Sequence, residues 1–230
     1  MIFVFDLDDT LYEEASYVDS GFAAVSIFLE ETYGLSKESV HTTMNQLIKQ
    51  NGRGAVFDTA LKVHGLSDPS LVEICLGIYR SHVPDLELYP GVTELFENVK
   101  DRNVYLVTDG NPLVQQTKIL SLGIREVFAQ IFLTSALGQS YEKPSLKCFE
   151  LIAKRELVSL SDLCYIGDNP AKDFVRLRAA GAFTVRVMTG QHADVKVSSE
   201  FDANISISSV AAVAAEIFPL ALHRGPGGSL

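Results

Sequence analysis

Acidic and polar side chains gather at four places in this 230-residue chain, and their types suit chemistry on phosphate groups. Carboxylates that meet in one crevice repel one another unless protons or a cation intervene. Oxygen ligands alone favour a hard divalent ion such as Mg²⁺, usually held by one or two carboxylates, water and substrate phosphate. The pattern therefore predicts a metal-assisted phosphate site. Its candidate residues are Asp6, Asp8, Asp9 and Thr10, then Thr108, Asp109, Gly110 and Asn111, then Lys143, and finally Asp168, Asn169 and Asp173.

The formal charges of these groups can balance around one ion. If Asp6, Asp168 and Asp173 are ionised and Asp8 holds a proton, the site carries three negative charges. One divalent ion together with Lys143 would cancel them. We therefore expect one hard cation close to Asp6.

The elements that must bring these residues together are predicted to be alternating strands and helices. Residues 2–5 form a continuous apolar run, typical of a strand buried on both faces of a parallel sheet. From residue 104 onward the alternation predicts a Rossmann-like, doubly wound α/β core. Reactive groups of such a sheet collect beyond the carboxyl ends of its strands. The later elements are strands at 104–107, 131–133, 163–166 and 183–187, with helices at 112–122, 145–156 and 170–180.

A helical block separates the first strand from the rest of this core. Apolar residues recur at steps of three and four from Val18 to Leu29, as in an amphipathic helix. Three further helices are predicted at 37–50, 55–64 and 69–82. We therefore expect a four-helix cap at 13–88, a core at 1–12 and 89–222, and a flexible tail at 223–230.

Charge and composition exclude several classes of protein. The chain has 19 basic and 29 acidic residues, which argues against nucleic-acid binding because that needs basic surfaces. No apolar run reaches the roughly 18 residues of a membrane span, and the first residues lack the pattern of a signal peptide. Three widely spaced cysteines, Cys75, Cys148 and Cys164, indicate reduced core thiols. We expect a cytoplasmic protein without nucleic-acid or membrane partners.

The four groups of acidic and polar residues resemble the motifs of the haloacid dehalogenase superfamily. The run from Asp6 to Thr10 is similar to its DxDxT signature, and 104–108 to its apolar strand ending in Thr or Ser. Lys143 corresponds to its motif lysine, and 167–173 to its GDxxxxD motif. Four motifs in order on successive strand ends are a strong signal. The position of the helical block also resembles the subfamily with an α-helical cap between the first two motifs.

The resemblance implies a role for each motif residue. Asp6 would attack phosphorus and become an aspartyl phosphate. Asp8 would protonate the leaving alcohol and then activate water. The Thr108 hydroxyl and the backbone amides of Asp109 and Gly110 would bind the transferring phosphoryl group.

The same resemblance implies a cation site. Lys143 would neutralise charge on the phosphoryl oxygens and hold Asp6 in place. Mg²⁺ would be bound by the Asp6 carboxylate, the Asp8 backbone carbonyl and Asp168, with Asp173 either direct or through water.

Several of these residues also have an ordinary structural interpretation. Asp6 could be a turn residue at a strand end, and Asp9 is better explained as a backbone cap. Asp173 could be a surface charge on the helix predicted at 170–180, and Lys143 an exposed loop lysine. Asn111 and Asn169 are predicted to cap the helices that follow them, although either could touch a ligand.

One residue of the predicted cap stands out as a specificity candidate. Arg53 lies between two glycines in a predicted loop, where a cation could bind a substrate anion or hydroxyl. A solvated turn arginine is an equally good interpretation.

The function expected from the resemblance is hydrolysis of a small phosphorylated metabolite with Mg²⁺. The acid two residues after the nucleophile is kept in phosphatases and phosphomutases of the superfamily and is lacking in its dehalogenases. A phosphomutase is therefore the alternative enzyme. A non-catalytic binding module with the same fold is the alternative of another class, but no motif is broken.

Overall fold

A computed structural model describes residues 1–218, and the tail predicted at 223–230 lies outside them. The chain divides into two compact units. One comprises Met1–Glu14 and the described residues from Glu87 onward, and the other comprises Ala15–Leu86.

The first unit is built on a parallel sheet of six strands, which confirms the predicted Rossmann-like α/β class. The strand order is β3-β2-β1-β4-β5-β6, so the topology switches direction between β1 and β4. Ligands of open α/β sheets bind in the crevice at such a switch point. The strands are β1 (Ile2–Phe5), β2 (Val104–Thr108), β3 (Gln130–Leu133), β4 (Leu163–Gly167), β5 (Phe183–Val187) and β6 (Ile205–Ile207).

The central strands form because their side chains are apolar on both faces. All five residues of β2, β4 and β5 are buried, as expected of strands covered by helices on two sides. β1 pairs with β2 through Phe5 and Leu106, and with β4 through Phe5 and Ile166. The residues that follow β1, β2 and β4 therefore lie next to one another at one edge of the sheet.

Helices connect the strands. Two elements were not predicted from the sequence. One is α5 (Val92–Val99), although its buried residues follow a helical pattern. The other is β6, whose three residues are too few to show a strand pattern. The helices of this unit are α5 (Val92–Val99), α6 (Pro112–Ser121), α7 (Thr134–Leu137), α8 (Lys147–Glu156) and α9 (Val175–Ala179), with a π-helix at Val213–Ile217 and short 3₁₀ turns at Arg125–Val127, Gln139–Tyr141, Leu160–Asp162 and Gly190–His192.

The helix predicted at 170–180 is wrong in its first half. Only Val175–Ala179 is helical, because the preceding residues form a turn around Asp173. The backbone N–H of Asp173 donates to the Asn169 carbonyl at 3.0 Å, and its carboxylate accepts from the Asn169 N–H at 2.9 Å. Asn169 is thus a turn residue rather than a helix cap, and Asp173 does not lie on a helix.

The second unit contains the four predicted helices. Ser36 and Asp68 cap the N-termini of α2 and α4 through their side chains. An apolar cluster that includes Phe22, Val25 and Met44 forms its core. The helices are α1 (Glu14–Tyr33), α2 (Lys37–Asn51), α3 (Val56–Val63) and α4 (Pro69–Ser81).

The three cysteines are buried and carry reduced thiols, as predicted. Burial raises the pKa of the Cys75 and Cys148 thiols to about 11, so both thiols stay protonated near neutral pH. Across residues 1–218, none of the helices combines the length and the apolar character that crossing a bilayer requires.

Candidate active site

Asp6 stands at the centre of the candidate site because β1 lies between β2 and β4. The Asp6 N–H donates to the Ile166 carbonyl of β4 at 2.9 Å, which continues the sheet pairing for one residue beyond β1. Thr108 ends β2, and Asp168 follows β4 directly. The three residues predicted from separate motifs are therefore carried by adjacent strands.

Lys143 joins two acidic residues inside the core. Its Nζ lies 2.8 Å from Asp6 Oδ2 and 2.9 Å from Asp173 Oδ1, and its side chain is 1 % exposed. It also donates to the Tyr165 hydroxyl at 2.8 Å. Burial lowers the pKa of Lys143, but the charges of Asp173 and Asp6 outweigh it and raise that pKa well above its usual value. Lys143 is a charged, buried lysine, so the exposed-loop interpretation is wrong.

Asp6, Asp168 and Asp173 form a cluster of carboxylates that could hold a metal ion. Each offers an oxygen within 4.8 Å of the others, and all three residues are buried. Burial, followed by the charges of Asp6 and Asp173, raises the pKa of Asp168 to about 9. Burial likewise raises the pKa of Asp6 to about 6 despite Lys143. The donor set is oxygen only, which fits a hard divalent cation.

Asp173 uses both carboxylate oxygens within the protein. Oδ1 contacts Lys143 and accepts a 3.3 Å hydrogen bond from Tyr165, while Oδ2 accepts from the Asn169 N–H. A Cβ on Gly167 would lie only 2.7 Å from Oδ2, so this position must stay without a side chain. The surface-charge interpretation of Asp173 is therefore wrong, since it anchors Lys143 from within the core.

Asp8 contacts side chains of α6 and of the loop that follows β1. Its Oδ1 accepts from Lys118 Nζ and from the Tyr12 hydroxyl, both at 2.6 Å, and its Oδ2 accepts from Gln115 Nε2 at 2.9 Å. Burial raises the pKa of Asp8, but the Lys118 charge and these hydrogen bonds together lower it below its usual value. These contacts favour the charged form of Asp8, whereas the raised pKa belongs to Asp168; the charge count from the motifs had assumed a proton on Asp8 and an ionised Asp168.

Asp9 caps backbone, as predicted. Its two carboxylate oxygens accept from the N–H groups of Glu14 and Gln191 at 2.9 and 3.1 Å. Its φ is +52°, in the left-handed region that aspartate tolerates better than most residues. A Cβ on Gly190 would lie 2.0 Å from Asp9 Cγ, so only glycine allows this approach. Asp9 thus fixes the loop that follows Asp8.

The second motif forms a polar loop at the end of β2. Thr108 Oγ1 accepts from Gln115 Nε2 at 2.7 Å. The Asp109 carboxylate accepts from the Thr134 hydroxyl at 2.6 Å, from the Lys143 N–H at 3.1 Å and from Lys172 Nζ at 3.1 Å. Burial raises the pKa of Asp109, but Lys143, Lys172 and these hydrogen bonds lower it overall.

The remaining predicted residues lie in different settings. The Gly110 N–H donates to Ser135 Oγ at 3.4 Å. Asn111 caps α6 through its side chain, as predicted. Arg53 is exposed and, within the helical unit, lines a mostly apolar cavity of about 230 Å³ beside Asp58 and Tyr79.

Four residues near the site were not predicted from the sequence: Tyr12, Gln115, Lys118 and Lys172. A signal for two of them was present, because α6 buries Val114, Gln115, Lys118 and Ile119 on one face. Polar residues on a core-facing stripe require buried partners. Those partners are more than a hundred residues away in the chain, at Asp8, so the sequence could not name them.

Comparison with known proteins identifies the family of the chain. The model of the haloacid dehalogenase-like hydrolases matches residues 1–181. The chain belongs to this family of hydrolases.

Curated relatives of this family member carry phosphatase names. A glyceraldehyde 3-phosphate phosphatase of Methanocaldococcus jannaschii is 29 % identical over 210 residues, covering 88 % of this chain and 91 % of the relative. One from Methanopyrus kandleri is 29 % identical over 209 residues, covering 86 % and 88 %. A phosphoserine phosphatase of Thermus thermophilus is 26 % identical over 140 residues, covering 60 % and 55 %.

Solved structures agree on the fold of the HAD-like hydrolase. The HAD-hydrolase YfnB of Bacillus subtilis superposes with a TM-score of 0.65 at 19 % identity, covering 93 % of this chain and 96 % of YfnB. A 2-haloacid dehalogenase of Pseudomonas syringae gives 0.63 at 20 % identity, covering 96 % and 98 %. At these identities the likeness establishes the fold and leaves the reaction to the site residues.

Proposed function

We propose that this HAD-like hydrolase is a Mg²⁺-dependent phosphatase that hydrolyses a small phosphorylated metabolite through an aspartyl phosphate. One observation carries the proposal: a buried carboxylate, Asp6, lies between the Lys143 cation and the Asp168 carboxylate, and Asp8 stands two residues farther along the chain. This arrangement supplies a nucleophile, a cation for phosphoryl oxygens, a metal ligand and an acid–base group.

The metal ligands proposed are the carboxylates of Asp6 and Asp168 and the backbone carbonyl of Asp8. Asp173 completes the acidic cluster, but its oxygens already bind Lys143 and the Asn169 N–H, so it contributes through water and through Lys143. When bound, Mg²⁺ neutralises the clustered carboxylates and the phosphate oxygens.

The reaction proceeds in two balanced steps. Asp8, whose contacts favour its charged form, first takes up a proton from solvent. Asp6 then forms a bond to phosphorus as the bond to the ester oxygen breaks, and Asp8 gives that oxygen its proton, which releases the alcohol. Asp8, now a carboxylate, takes a proton from water as the water oxygen bonds to phosphorus. The bond to Asp6 then breaks and releases phosphate. Proton transfer of this kind contributes about 10²- to 10⁴-fold in rate.

Four groups bind the transferring phosphoryl group in this proposal. The Thr108 hydroxyl and the backbone amides of Asp109 and Gly110 donate to its oxygens, and Lys143 neutralises the charge that develops on them. The Asp109 side chain accepts from the Lys143 N–H at 3.1 Å, so it ties the phosphate loop to the lysine.

The proposed substrates are small phosphate monoesters of an alcohol. The phosphatases among the relatives support this class, with glyceraldehyde 3-phosphate and phosphoserine as the first candidates. Ala15–Leu86 is proposed to act as the cap that selects among them, with Arg53 as its specificity residue. The buried, reduced thiols suit a reducing cytoplasm.

A substrate panel tests the proposal. Phosphate release is measured with and without Mg²⁺ for glyceraldehyde 3-phosphate, phosphoserine, phosphoglycolate, sugar phosphates and nucleoside monophosphates. We expect hydrolysis of at least one ester that disappears with a chelator and returns with Mg²⁺. Isomerised sugar phosphate without free phosphate would indicate a mutase, and a lack of turnover across the panel would refute the proposal.

Thermal stability gives an independent test of the metal site. Because the pKa of Asp6 is raised to about 6 and that of Asp168 to about 9, their protons compete with Mg²⁺, and affinity must rise with pH from 6 to 9. These raised values also mean that both groups destabilise the metal-free fold as pH rises through them. At a hundredfold excess of Mg²⁺ over Kd the gain is about 2.7 kcal/mol.

We therefore expect Mg²⁺ to raise Tm by on the order of 5–10 °C at pH 8, and by clearly less at pH 6. Scanning calorimetry at constant ionic strength measures the shift. The Asp168→Asn variant is the control and should lose most of it. An equal shift at both pH values would contradict the assigned cluster.

A further inference from the structure

Helix α6 carries two buried polar side chains that the family motifs do not include. Gln115 and Lys118 lie three residues apart, one turn along the helix, and each is 2 % exposed. Burying a lysine is costly unless a carboxylate compensates its charge. Their position is fixed from the start of the helix, where Asn111 caps the first turn and Pro112 begins it.

Both side chains converge on Asp8. Lys118 Nζ lies 2.6 Å from Asp8 Oδ1, Gln115 Nε2 lies 2.9 Å from Asp8 Oδ2, and the Tyr12 hydroxyl, four residues after Asp8 in the chain, also donates to Oδ1. Burial and the Asp8 charge raise the pKa of Tyr12, so its hydroxyl remains a donor. Each carboxylate oxygen of Asp8 therefore has at least one fixed donor, and the plane of the carboxylate is set.

The same donors reach the phosphate loop. Gln115 Nε2 also lies 2.7 Å from Thr108 Oγ1, so one amide group spans the acid–base residue and the proposed phosphate ligand. Glu14 Oε1 lies 3.6 Å from Lys118 Nζ, so the ammonium has a second acidic partner. Displacement of a catalytic group by about 1 Å can cost on the order of 10²-fold in rate.

We propose that Lys118, with Gln115, is a positioning residue that sets the Asp8 carboxyl in place for proton transfer to the leaving-group oxygen. This inference rests on the proposed phosphatase function. Lys118 acts through Asp8: it contacts the carboxylate, and the proton moves between Asp8 and the ester oxygen as the phosphorus–oxygen bond breaks. The helix that follows the phosphate loop thus belongs to the acid–base machinery.

A comparison of leaving groups tests this proposal in the full chain. Alkoxides need a proton in order to leave, whereas 4-nitrophenolate does not. We expect Lys118→Met to lower kcat/KM about 10- to 100-fold for the fastest alkyl phosphate of the panel, beginning with glyceraldehyde 3-phosphate. For 4-nitrophenyl phosphate the loss should stay below about threefold. Equal losses on both substrates would overturn the proposal, because they indicate general damage to the site.

A double-mutant cycle tests whether Lys118 works through Asp8. In an Asp8→Asn background, Lys118→Met should cost no further activity on the alkyl ester, because the group that it positions is gone. Additive losses would overturn the proposal. Lys154→Met, an exposed lysine on α8, is the matched control and should keep wild-type kinetics.

Two safeguards keep the outcomes distinct. If Lys118→Met does not fold, kcat/KM of Gln115→Met is measured on the same two substrates. This variant removes one donor to Asp8 but leaves no buried charge without its partner. If the wild type hydrolyses none of the esters, the proposed function fails and the inference falls with it. An active wild type whose variants show no leaving-group difference refutes the positioning role alone.

Discussion

Asp6→Asn abolishes turnover, with an expected loss of about 10⁴-fold or more, and leaves the chain folded. The amide keeps the size of the carboxyl group but cannot form the bond to phosphorus. Folding survives because burial already raises the pKa of Asp6 to about 6, so a neutral group is tolerated there. Lys143 keeps its contact with Asp173 at 2.9 Å, and repulsion with Asp168 falls. We expect an unchanged or slightly raised Tm.

Two measurements check this result. Phosphate release gives kcat, and mass spectrometry after acid quench detects a phosphoryl group on wild-type Asp6 but not on the variant. Asp101→Asn is the matched control, since Asp101 is exposed, and it should behave as the wild type. Normal turnover in Asp6→Asn, or phosphoenzyme at another residue, would refute the nucleophile assignment.

The central strands of the sheet could be predicted from the sequence because a strand that is buried on both faces is a continuous run of apolar residues. β1, β2, β4 and β5 agree with prediction within one residue at either end. Parallel pairing then brings the residues after them to one edge, so Asp6, Thr108 and Asp168 could be placed together before any coordinates were known.

Prediction failed where side chains, rather than hydrophobic periodicity, determine the local backbone. The stretch before α9 has helical composition, but the Asp173 carboxylate binds the Asn169 N–H and holds a turn instead. Burial of this carboxylate beside Lys143 compensates for the lost helical turns. A local pattern contains no information on a partner that arrives from another loop.

The environment of Asp8 was equally hidden. Two of its three donors come from α6, more than a hundred residues later in the chain. Burial raises the pKa of Asp8, but these donors and Tyr12 lower it overall, whereas the charge balance inferred from the motifs had placed a proton on Asp8. The sequence predicts which groups do the chemistry, whereas tertiary contacts decide which of them is charged.

Lys143→Met should lower both the stability and the activity of the protein, and the two losses should have different causes. The Lys143 side chain is 1 % exposed and lies within 2.9 Å of both Asp6 and Asp173. Its removal leaves those carboxylates buried without a compensating cation, a change that typically costs about 3–5 kcal/mol. Because the folded pKa of Lys143 is raised, the lysine itself stays charged at every pH below about 10.5, so any pH dependence of its contribution in that range comes from its carboxylate partners.

The pH dependence of the variant follows from the carboxylates that remain. Without Lys143 they can avoid repulsion only by binding protons, so their pKa values rise further above the unfolded values. The variant should therefore be closest to wild-type stability near pH 5 and lose stability as pH rises to 8. Urea unfolding at the two pH values measures this difference, with Lys154→Met as the control for loss of a lysine.

Mg²⁺ separates the two functions of Lys143. The ion neutralises the carboxylate cluster, so saturating Mg²⁺ should restore much of the lost stability. It should not restore kcat, because the phosphoryl oxygens have lost the cation that faces them from the Asp6 side, a loss of about 10²- to 10³-fold. Recovery of both stability and kcat would show that Lys143 only balances charge, and the proposed contact with the transferring group would then be wrong.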